Sequence, residues 1–133
     1  MYKRIIIFGG LGFLGCKLSN KLSQLGFDVV VADINNQSLI LDKKINYIKV
    51  DLTKNSIDEY LDIKKTDIFI NLASRQYHNK IPYFKRQEWF DELNLNISKK
   101  TIQLAVRKEI DGYIFFSTDM VYGIPQGNEI NET

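Results

Sequence analysis

A cluster of glycines near the amino terminus constrains the fold of this chain more than any other feature. The stretch Gly9-Gly10-Leu11-Gly12-Phe13-Leu14-Gly15 directly follows Ile5-Ile6-Ile7 and Phe8. A β-branched apolar run of this kind is typical of a strand that is buried on both faces. After the glycines, leucines recur near helical spacing from residue 14 to residue 25. We therefore predict a tight turn that leads from a buried strand into an amphipathic helix.

The spacing of the glycines predicts what this turn binds. Gly10-x-Gly12-x-x-Gly15 satisfies the dinucleotide-binding fingerprint, and a second triplet that begins at Gly9 overlaps it. In such turns one glycine permits the turn, one lets backbone N–H groups approach a pyrophosphate, and one lets the helix pack on the strand. A glycine triplet is only weakly diagnostic by itself, because a turn can need glycine merely for a positive φ.

A carboxylate in the right place strengthens this interpretation. The strand-like run Val29-Val30-Val31-Ala32 ends at Asp33, about 20 residues beyond the glycines, where dinucleotide folds bind a ribose diol. Asp33 could alternatively be a helix N-cap or a solvated turn residue. Its charge would repel a 2′-phosphate, and residues 34–37 contain no arginine that would bind one. We therefore expect NAD rather than NADP.

The remaining pattern alternates strands with helices, which predicts an α/β, Rossmann-like, doubly wound parallel sheet of about five strands in the order 3-2-1-4-5. Ligands of such sheets gather at the carboxyl ends of the strands. The predicted strands are Lys3–Phe8, Asp28–Asp33, Asn46–Val50, Asp67–Asn71 and Gly112–Phe116, and the predicted helices are Phe13–Leu25, Ser56–Leu61 and Gln87–Lys108.

Composition excludes several other classes of protein. The 133 residues are enough for one domain, with 44% hydrophobic and 26% charged residues. A net charge of +2 does not favour nucleic-acid binding, and no apolar stretch reaches the roughly 20 residues needed to cross a membrane. One histidine and one cysteine, Cys16, exclude the usual zinc spacings, so we expect no metal site. The single cysteine fits a reducing, cytoplasmic location.

Taken together, the chain resembles the amino-terminal part of the extended short-chain dehydrogenase/reductase family, the NAD-dependent nucleotide-sugar epimerases and dehydratases. The matching stretches follow the family's order over nearly the whole chain. They are the glycine cluster, Val31-Ala32-Asp33, Asp51-Leu52-Thr53, Asn71-Leu72-Ala73-Ser74, Asn94-Leu95-Asn96-Ile97-Ser98 and Ser117-Thr118-Asp119-Met120-Val121-Tyr122-Gly123.

The resemblance implies an NAD site built from several strand ends. The glycine turn would line the pyrophosphate, Asp33 the adenosine ribose and Asp51 the adenine, while residues 72–74 would border the nicotinamide ribose with support from Asn94. The predicted cofactor-binding residues are Gly9, Gly12, Phe13, Leu14, Gly15, Asp33, Asp51, Leu52, Leu72, Ala73, Ser74, Asn94 and Ser117.

The resemblance also places Thr118 as the catalytic hydroxyl that hydrogen-bonds the reacting sugar oxygen. Three alternatives stay open: Asp51 could only cap its own turn through Thr53, Asn94 could be a surface amide, and Thr118 could bond its own backbone. Met120 replaces the second acid of an acid pair that sugar 4,6-dehydratases tend to carry, which argues against a dehydratase mechanism.

The family's proton-transferring Tyr-x-x-x-Lys does not follow within these 133 residues. A decoy, Tyr60 with Lys64, has the spacing but should lie at the amino edge of the sheet. We therefore interpret residues 1–133 as a truncated NAD-binding Rossmann domain without the sixth strand and substrate lobe, which binds cofactor without efficient turnover. The partner of the complete enzyme would be a nucleotide sugar, with no role for nucleic acid or membrane.

The alternative function is that of an NAD-sensing or scaffold domain without catalysis. On either interpretation, the fifth strand would be an unpaired edge, and we expect self-association through Gly112–Phe116.

Overall fold

A computed structural model describes residues 3–36, 41–76 and 81–118 of the chain. It confirms the predicted sheet: five parallel strands lie in the order β3-β2-β1-β4-β5. The strands are β1 (Arg4–Phe8), β2 (Asp28–Asp33), β3 (Asn46–Lys49), β4 (Ile68–Asn71) and β5 (Gly112–Phe115).

The central strand β1 explains why the isoleucine run precedes the glycines. It pairs with β2 on one side and with β4 on the other, and Ile6, Ile7 and Phe8 have no exposed surface. Successive side chains enter two different cores, because strand residues alternate between the faces of a sheet. Ile6 and Phe8 pack with Phe69 on one face, while Ile7 packs with Val31 on the other.

Helices cover both faces of the sheet. Helix α1 (Phe13–Gln24) ends one residue before its predicted end at Leu25, and Gly26 follows with a φ of 90° and donates its N–H to Ser23 O. The short helix predicted at Ser56–Leu61 is a single 3₁₀ turn, Ile57–Glu59, whose capping residue Ser56 donates its N–H to the Glu59 carboxylate at 2.7 Å. None of the helices in the described ranges is long and apolar enough to cross a membrane.

The helix predicted as one piece from Gln87 to Lys108 contains an irregularity that the sequence pattern did not indicate. It consists of α2 (Arg86–Phe90), a π-helical turn (Asp91–Leu95) and α3 (Asn96–Arg107). Helix α3 buries Ile97, Leu104 and Ala105 against the sheet, which fixes the carboxyl half of the helix. The π turn shifts the phase of the preceding residues relative to α3.

A part-buried ion pair between Arg4 and Asp67 marks the amino edge of the sheet. Arg4 Nε donates to Asp67 Oδ1 at 3.0 Å and a terminal Arg4 nitrogen donates to Asp67 Oδ2 at 2.7 Å, while Asp67 also accepts the Lys64 N–H at 2.8 Å. Lys64 therefore lies at the start of β4. Lys64, the lysine of the Tyr60–Lys64 decoy, thus lies near the amino edge of the sheet and not at the edge where ligands of parallel sheets bind.

Candidate functional site

A cleft of about 880 Å³ lies at the carboxyl ends of the strands. This is the size range of sites for small molecules and cofactors. Every residue predicted to bind a cofactor lines this cleft except Asn94. The cleft also contains residues that the sequence analysis did not select, namely Ala32, Ile34, Asn35, Val50, Gln76, Leu93, Ile97 and Phe116.

The glycines divide between packing the turn and leaving space in the cleft. Gly9 has a φ of 74°, and a Cβ there would lie 2.8 Å from the backbone of Ala73. A Cβ at Gly15 would lie 2.6 Å from Gly9 O, so this glycine lets α1 pack against the turn. At Gly12, by contrast, the nearest atom to a Cβ would be Gly9 O at 3.3 Å. The open side of the turn is therefore at Gly12.

The amino end of α1 faces this open side. Its first intrahelical hydrogen bond runs from Cys16 N–H to Gly12 O at 2.9 Å, so the N–H groups of residues 13–15 precede the helical ladder. Such groups, together with the helix dipole, favour an anion. Phe13 is 83% exposed beside them, and the Lys17 ammonium lies 4.4 Å from the centre of its ring. The turn thus combines free donors, positive charge and space.

Asp33 holds the glycine turn from the end of β2. Its Oδ2 accepts the Leu11 N–H at 2.9 Å, and its Oδ1 accepts both the backbone N–H and the side-chain amide of Asn35, at 3.0 and 2.9 Å. The residue is only 7% exposed, so it is not a solvated turn acid. This carboxylate joins the turn after β1 to the segment after β2.

Asp51 has the turn-capping role that the sequence left open. Its Oδ1 accepts the backbone N–H of Thr53 at 3.1 Å and the Thr53 hydroxyl at 2.6 Å. The hydroxyl bond is the main cause of a pKa for Asp51 below its ordinary value, and the Lys54 ammonium, 3.6 Å away, acts in the same direction. Asp51 and the buried Leu52 also line the cleft, so capping does not remove Asp51 from the site.

Asn71 connects the walls of the cleft, a role that the sequence analysis did not assign. Its Oδ1 accepts the Ala73 N–H at 3.1 Å, and its Nδ2 donates to the hydroxyls of Ser98 at 3.1 Å and Tyr113 at 3.3 Å. Its carbonyl accepts the Phe116 N–H at 3.2 Å. The sequence signal that could have indicated this role is a polar residue, Asn71, at the end of an otherwise apolar strand.

Asn94 lies behind the wall rather than in the cleft. It is part of the π turn, and its side-chain amide bonds the main chain of Arg75, next to the cleft residues Ser74 and Gln76. Asn94 therefore holds the main chain of the loop after β4 through two side-chain hydrogen bonds. The same turn contributes Leu93 to the cleft itself.

Ser117 lines the cleft, whereas Thr118 is exposed beside it and is not among the lining residues. Phe116, two residues earlier, is fixed to the end of β4 through Asn71. Asp119, Met120 and Tyr122 lie outside the described residues. Within the described ranges, no group of three or more His, Cys, Asp or Glu side chains is placed to hold a metal ion.

The sequence model of the NAD dependent epimerase/dehydratase family matches residues 5–133. The chain belongs to this family. The match includes the glycine turn, Asp33, the loop after β4 and the π turn.

Relatives of this family member are considerably longer. A protein of Methanocaldococcus jannaschii that is provisionally named UDP-glucose 4-epimerase is 23% identical over 133 residues, which are 96% of this chain and 42% of that protein. The chain thus spans about two-fifths of the length of this curated relative.

Two solved structures share the fold of this family member. MoeE5 in complex with UDP-glucuronic acid and NAD aligns with a TM-score of 0.80 and 19% identity, over 98% of this chain and 42% of that one. Thermus thermophilus UDP-glucose 4-epimerase in complex with NAD aligns with a TM-score of 0.76 and 22% identity, over 97% of this chain and 42% of that one.

Proposed function

We propose that this chain forms the NAD-binding portion of a nucleotide-sugar epimerase or dehydratase. The observation that carries the proposal is the hydrogen bond from the Leu11 N–H to Asp33 Oδ2 at 2.9 Å. It holds a ribose-reading carboxylate and a phosphate-binding turn as one unit at the carboxyl edge of the sheet. Two groups that a dinucleotide needs at a fixed separation are thereby preorganised.

The residues present fit NAD along the cleft. A diphosphate would accept hydrogen bonds from the amino end of α1, where a Cβ is absent at Gly12 and the space is open. The adenosine ribose would reach Asp33, with the adenine between Asp51 and Leu52. The nicotinamide ribose would lie along residues 72–74 and beside Ser117. When bound, NAD would accept or return a hydride at a sugar carbon.

Charge at the ribose end supports NAD over NADP. A 2′-phosphate would approach the buried carboxylate of Asp33, and residues 34–36 offer no arginine to neutralise it. Close like charges in a partly desolvated site are unfavourable. We expect NADP to bind much more weakly than NAD.

The proposed substrate is a nucleotide-activated sugar, the class of ligand bound by MoeE5 in its complexes with UDP-glucose and UDP-glucuronic acid. Thr118 would donate its hydroxyl hydrogen bond to the reacting sugar oxygen and orient it. No lysine follows β5 within the 133 residues, so these residues do not supply the family's Tyr-x-x-x-Lys pair there. Because general acid–base catalysis contributes about 10²–10⁴-fold, we expect a polypeptide of these residues to bind without efficient turnover.

The lone thiol is consistent with a cytoplasmic, reducing location, which is part of the proposal. Cys16 is half-buried and donates to Leu11 O, and burial raises its pKa, which disfavours the reactive thiolate.

Calorimetric titration with NAD⁺ and NADP⁺ tests the proposed function. We expect NAD⁺ to bind and Asp33→Ala to weaken it at least about tenfold, since two charge-assisted hydrogen bonds are lost. The matched control is Asp28→Ala, which removes the same charge from the exposed, opposite end of β2. If NAD⁺ does not bind, or binds equally well to the Asp33 variant, the proposal is wrong.

A further inference from the structure

The hydrogen bonds of Asp33 leave too few acceptor positions for a ribose diol. An ionised carboxylate offers about four lone-pair sites, roughly two on each oxygen. The Leu11 N–H uses one site on Oδ2, and the two donors of Asn35 use both sites on Oδ1. A single site on Oδ2 is then left, whereas two ribose hydroxyls bring two O–H donors.

We propose that the side-chain amide of Asn35 occupies the position of one ribose hydroxyl and must be displaced when the diol binds. Asn35 then lowers cofactor affinity, because its amide competes with a ribose hydroxyl for Asp33. The loss of affinity applies in particular to ligands with two hydroxyls. This inference rests on the proposed function, because it assigns the diol to Asp33.

Of the three donors, the Asn35 side chain is the one that can leave. The Leu11 N–H belongs to the glycine turn and cannot move without displacing the wall that binds the diphosphate. The backbone of Asn35 is held separately, because the Tyr47 hydroxyl donates to Asn35 O. The side chain, in contrast, is on an exposed residue that lines the cleft, so it can rotate into solvent.

The neighbouring residue provides a matched control. Asn36 is also exposed, and its Oδ1 accepts the Lys49 ammonium at 2.6 Å rather than contacting Asp33. It does not line the cleft. Replacing Asn36 removes the same functional group one residue away and leaves all three donors to Asp33 in place.

The alternative roles of Asn35 predict the opposite sign. If its amide positions the Asp33 carboxylate, or itself bonds the ribose, then removing the amide weakens cofactor binding. If the amide competes with a hydroxyl, removing it strengthens binding, and only for a ligand that has the second hydroxyl to use the vacated site.

The experiment is a calorimetric titration of Asn35→Ala, Asn35→Leu and Asn36→Ala with two ligands, NAD⁺ and the analogue that lacks the adenosine 2′-hydroxyl. Both Asn35 variants should bind NAD⁺ about 3- to 10-fold more tightly than the parent chain. This is the effect of one hydrogen bond, from the Asn35 amide to Asp33, which the parent chain must break on binding and the variants do not have. They should bind the deoxy analogue within about twofold of the parent, because one hydroxyl already fits the free site on Oδ2. Asn36→Ala should change neither.

Unchanged or weaker NAD⁺ binding by both Asn35 variants, or an equal gain for both ligands, would overturn the competition. Asn35→Leu keeps the volume of the side chain. Tighter NAD⁺ binding by Asn35→Ala alone would therefore come from extra space in the cleft rather than from lost competition, and it would overturn the inference too. If NAD⁺ binding is absent or does not depend on Asp33, the proposed function fails as well; if that binding holds and only the Asn35 result is contrary, this inference alone fails.

Discussion

Asn94 holds both main-chain polar groups of Arg75: its Oδ1 accepts the Arg75 N–H at 2.7 Å, and its Nδ2 donates to Arg75 O at 3.1 Å. The Asn94 side chain thus bonds the N–H and the C=O of Arg75, as the main chain of a neighbouring strand would. The Arg75 guanidinium adds a second connection to the same helix, through Glu92 at 2.7 Å and over the Trp89 ring at 4.6 Å. The loop after β4 is therefore fixed to the π turn.

We predict that Asn94→Ala lowers the free energy of unfolding by about 1–3 kcal/mol, because two part-buried main-chain groups lose their partner. It should also weaken NAD⁺ binding, since residues 72–74 and Gln76, on either side of Arg75, line the cleft. Urea denaturation and calorimetric titration measure the two effects. Gln103→Ala, on the exposed face of α3, is the control. Asn94→Ala behaving like Gln103→Ala in both measurements would contradict the supporting role.

Substitutions at Gly12 and Gly15 should separate binding from stability. Gly12→Ala keeps an accessible backbone conformation, with φ −66°, and should cost less than about 1 kcal/mol of stability while weakening NAD⁺ binding tenfold or more. Gly15→Ala should cost about 1–3 kcal/mol, because its Cβ would overlap Gly9 O. Thermal or urea denaturation of both variants, with titration of Gly12→Ala, tests this. Similar losses of stability for the two variants would contradict the division of roles.

The stability contribution of Asp51 should depend on pH. Its folded-state pKa lies below the ordinary value because Thr53 bonds the ionised carboxylate. The contribution is therefore complete above the unfolded-state pKa of about 3.9 and is lost as the pH falls through the lower folded-state pKa.

Thr53→Val should accordingly destabilise the chain by about 0.5–1.5 kcal/mol at pH 7, with a smaller difference near pH 3. Urea denaturation at the two pH values measures it, and Thr66→Val, at an exposed turn, is the control. A deficit for Thr53→Val that is the same at both pH values would exclude the linkage to Asp51.

The edge of the sheet at β5 should mediate self-association, as the sequence predicts. Among the described residues β5 pairs only with β4, and Ile114, Phe115 and Phe116 are each about half exposed. Ile114→Lys should lower the association constant, because a charge on an edge strand opposes pairing. Val106→Lys adds the same charge on exposed α3 and should not. Sedimentation at increasing concentration compares them; a monomeric parent chain, or equal effects of the two lysines, would contradict the prediction.

Much of the fold and of the site was readable from local patterns. The bounds of β2 were predicted without error, and the strand order follows from parallel strand–helix alternation. Twelve of the twenty residues that line the cleft were among the predicted ones, because parallel strands bring their carboxyl ends to one edge. Asp33, Asp51 and Ser117 converge there although they are far apart in sequence.

Other features were not readable. The π turn has no signature in the apolar spacing, since its five residues, Asp91–Leu95, fit an ordinary helical pattern equally well. The role of Asn71 depends on a partner from another segment, the Ser98 hydroxyl. The role of Asn35 depends on its side-chain amide reaching an oxygen of Asp33. Residue type alone indicates neither contact.

The sequence by itself determined the parallel α/β architecture, the position of the glycine turn and the position of Asp33 at the end of β2. These follow from the apolar pattern of the strands, the spacing of the glycines and the order of the residues, which are all properties of the local sequence. Only the tertiary structure decided which glycine leaves space, which loop Asn94 holds and how many acceptor sites Asp33 keeps free. Those depend on differences of a few tenths of an ångström in the contact distances between chain segments, and the packing of the whole sheet and its helices fixes these distances.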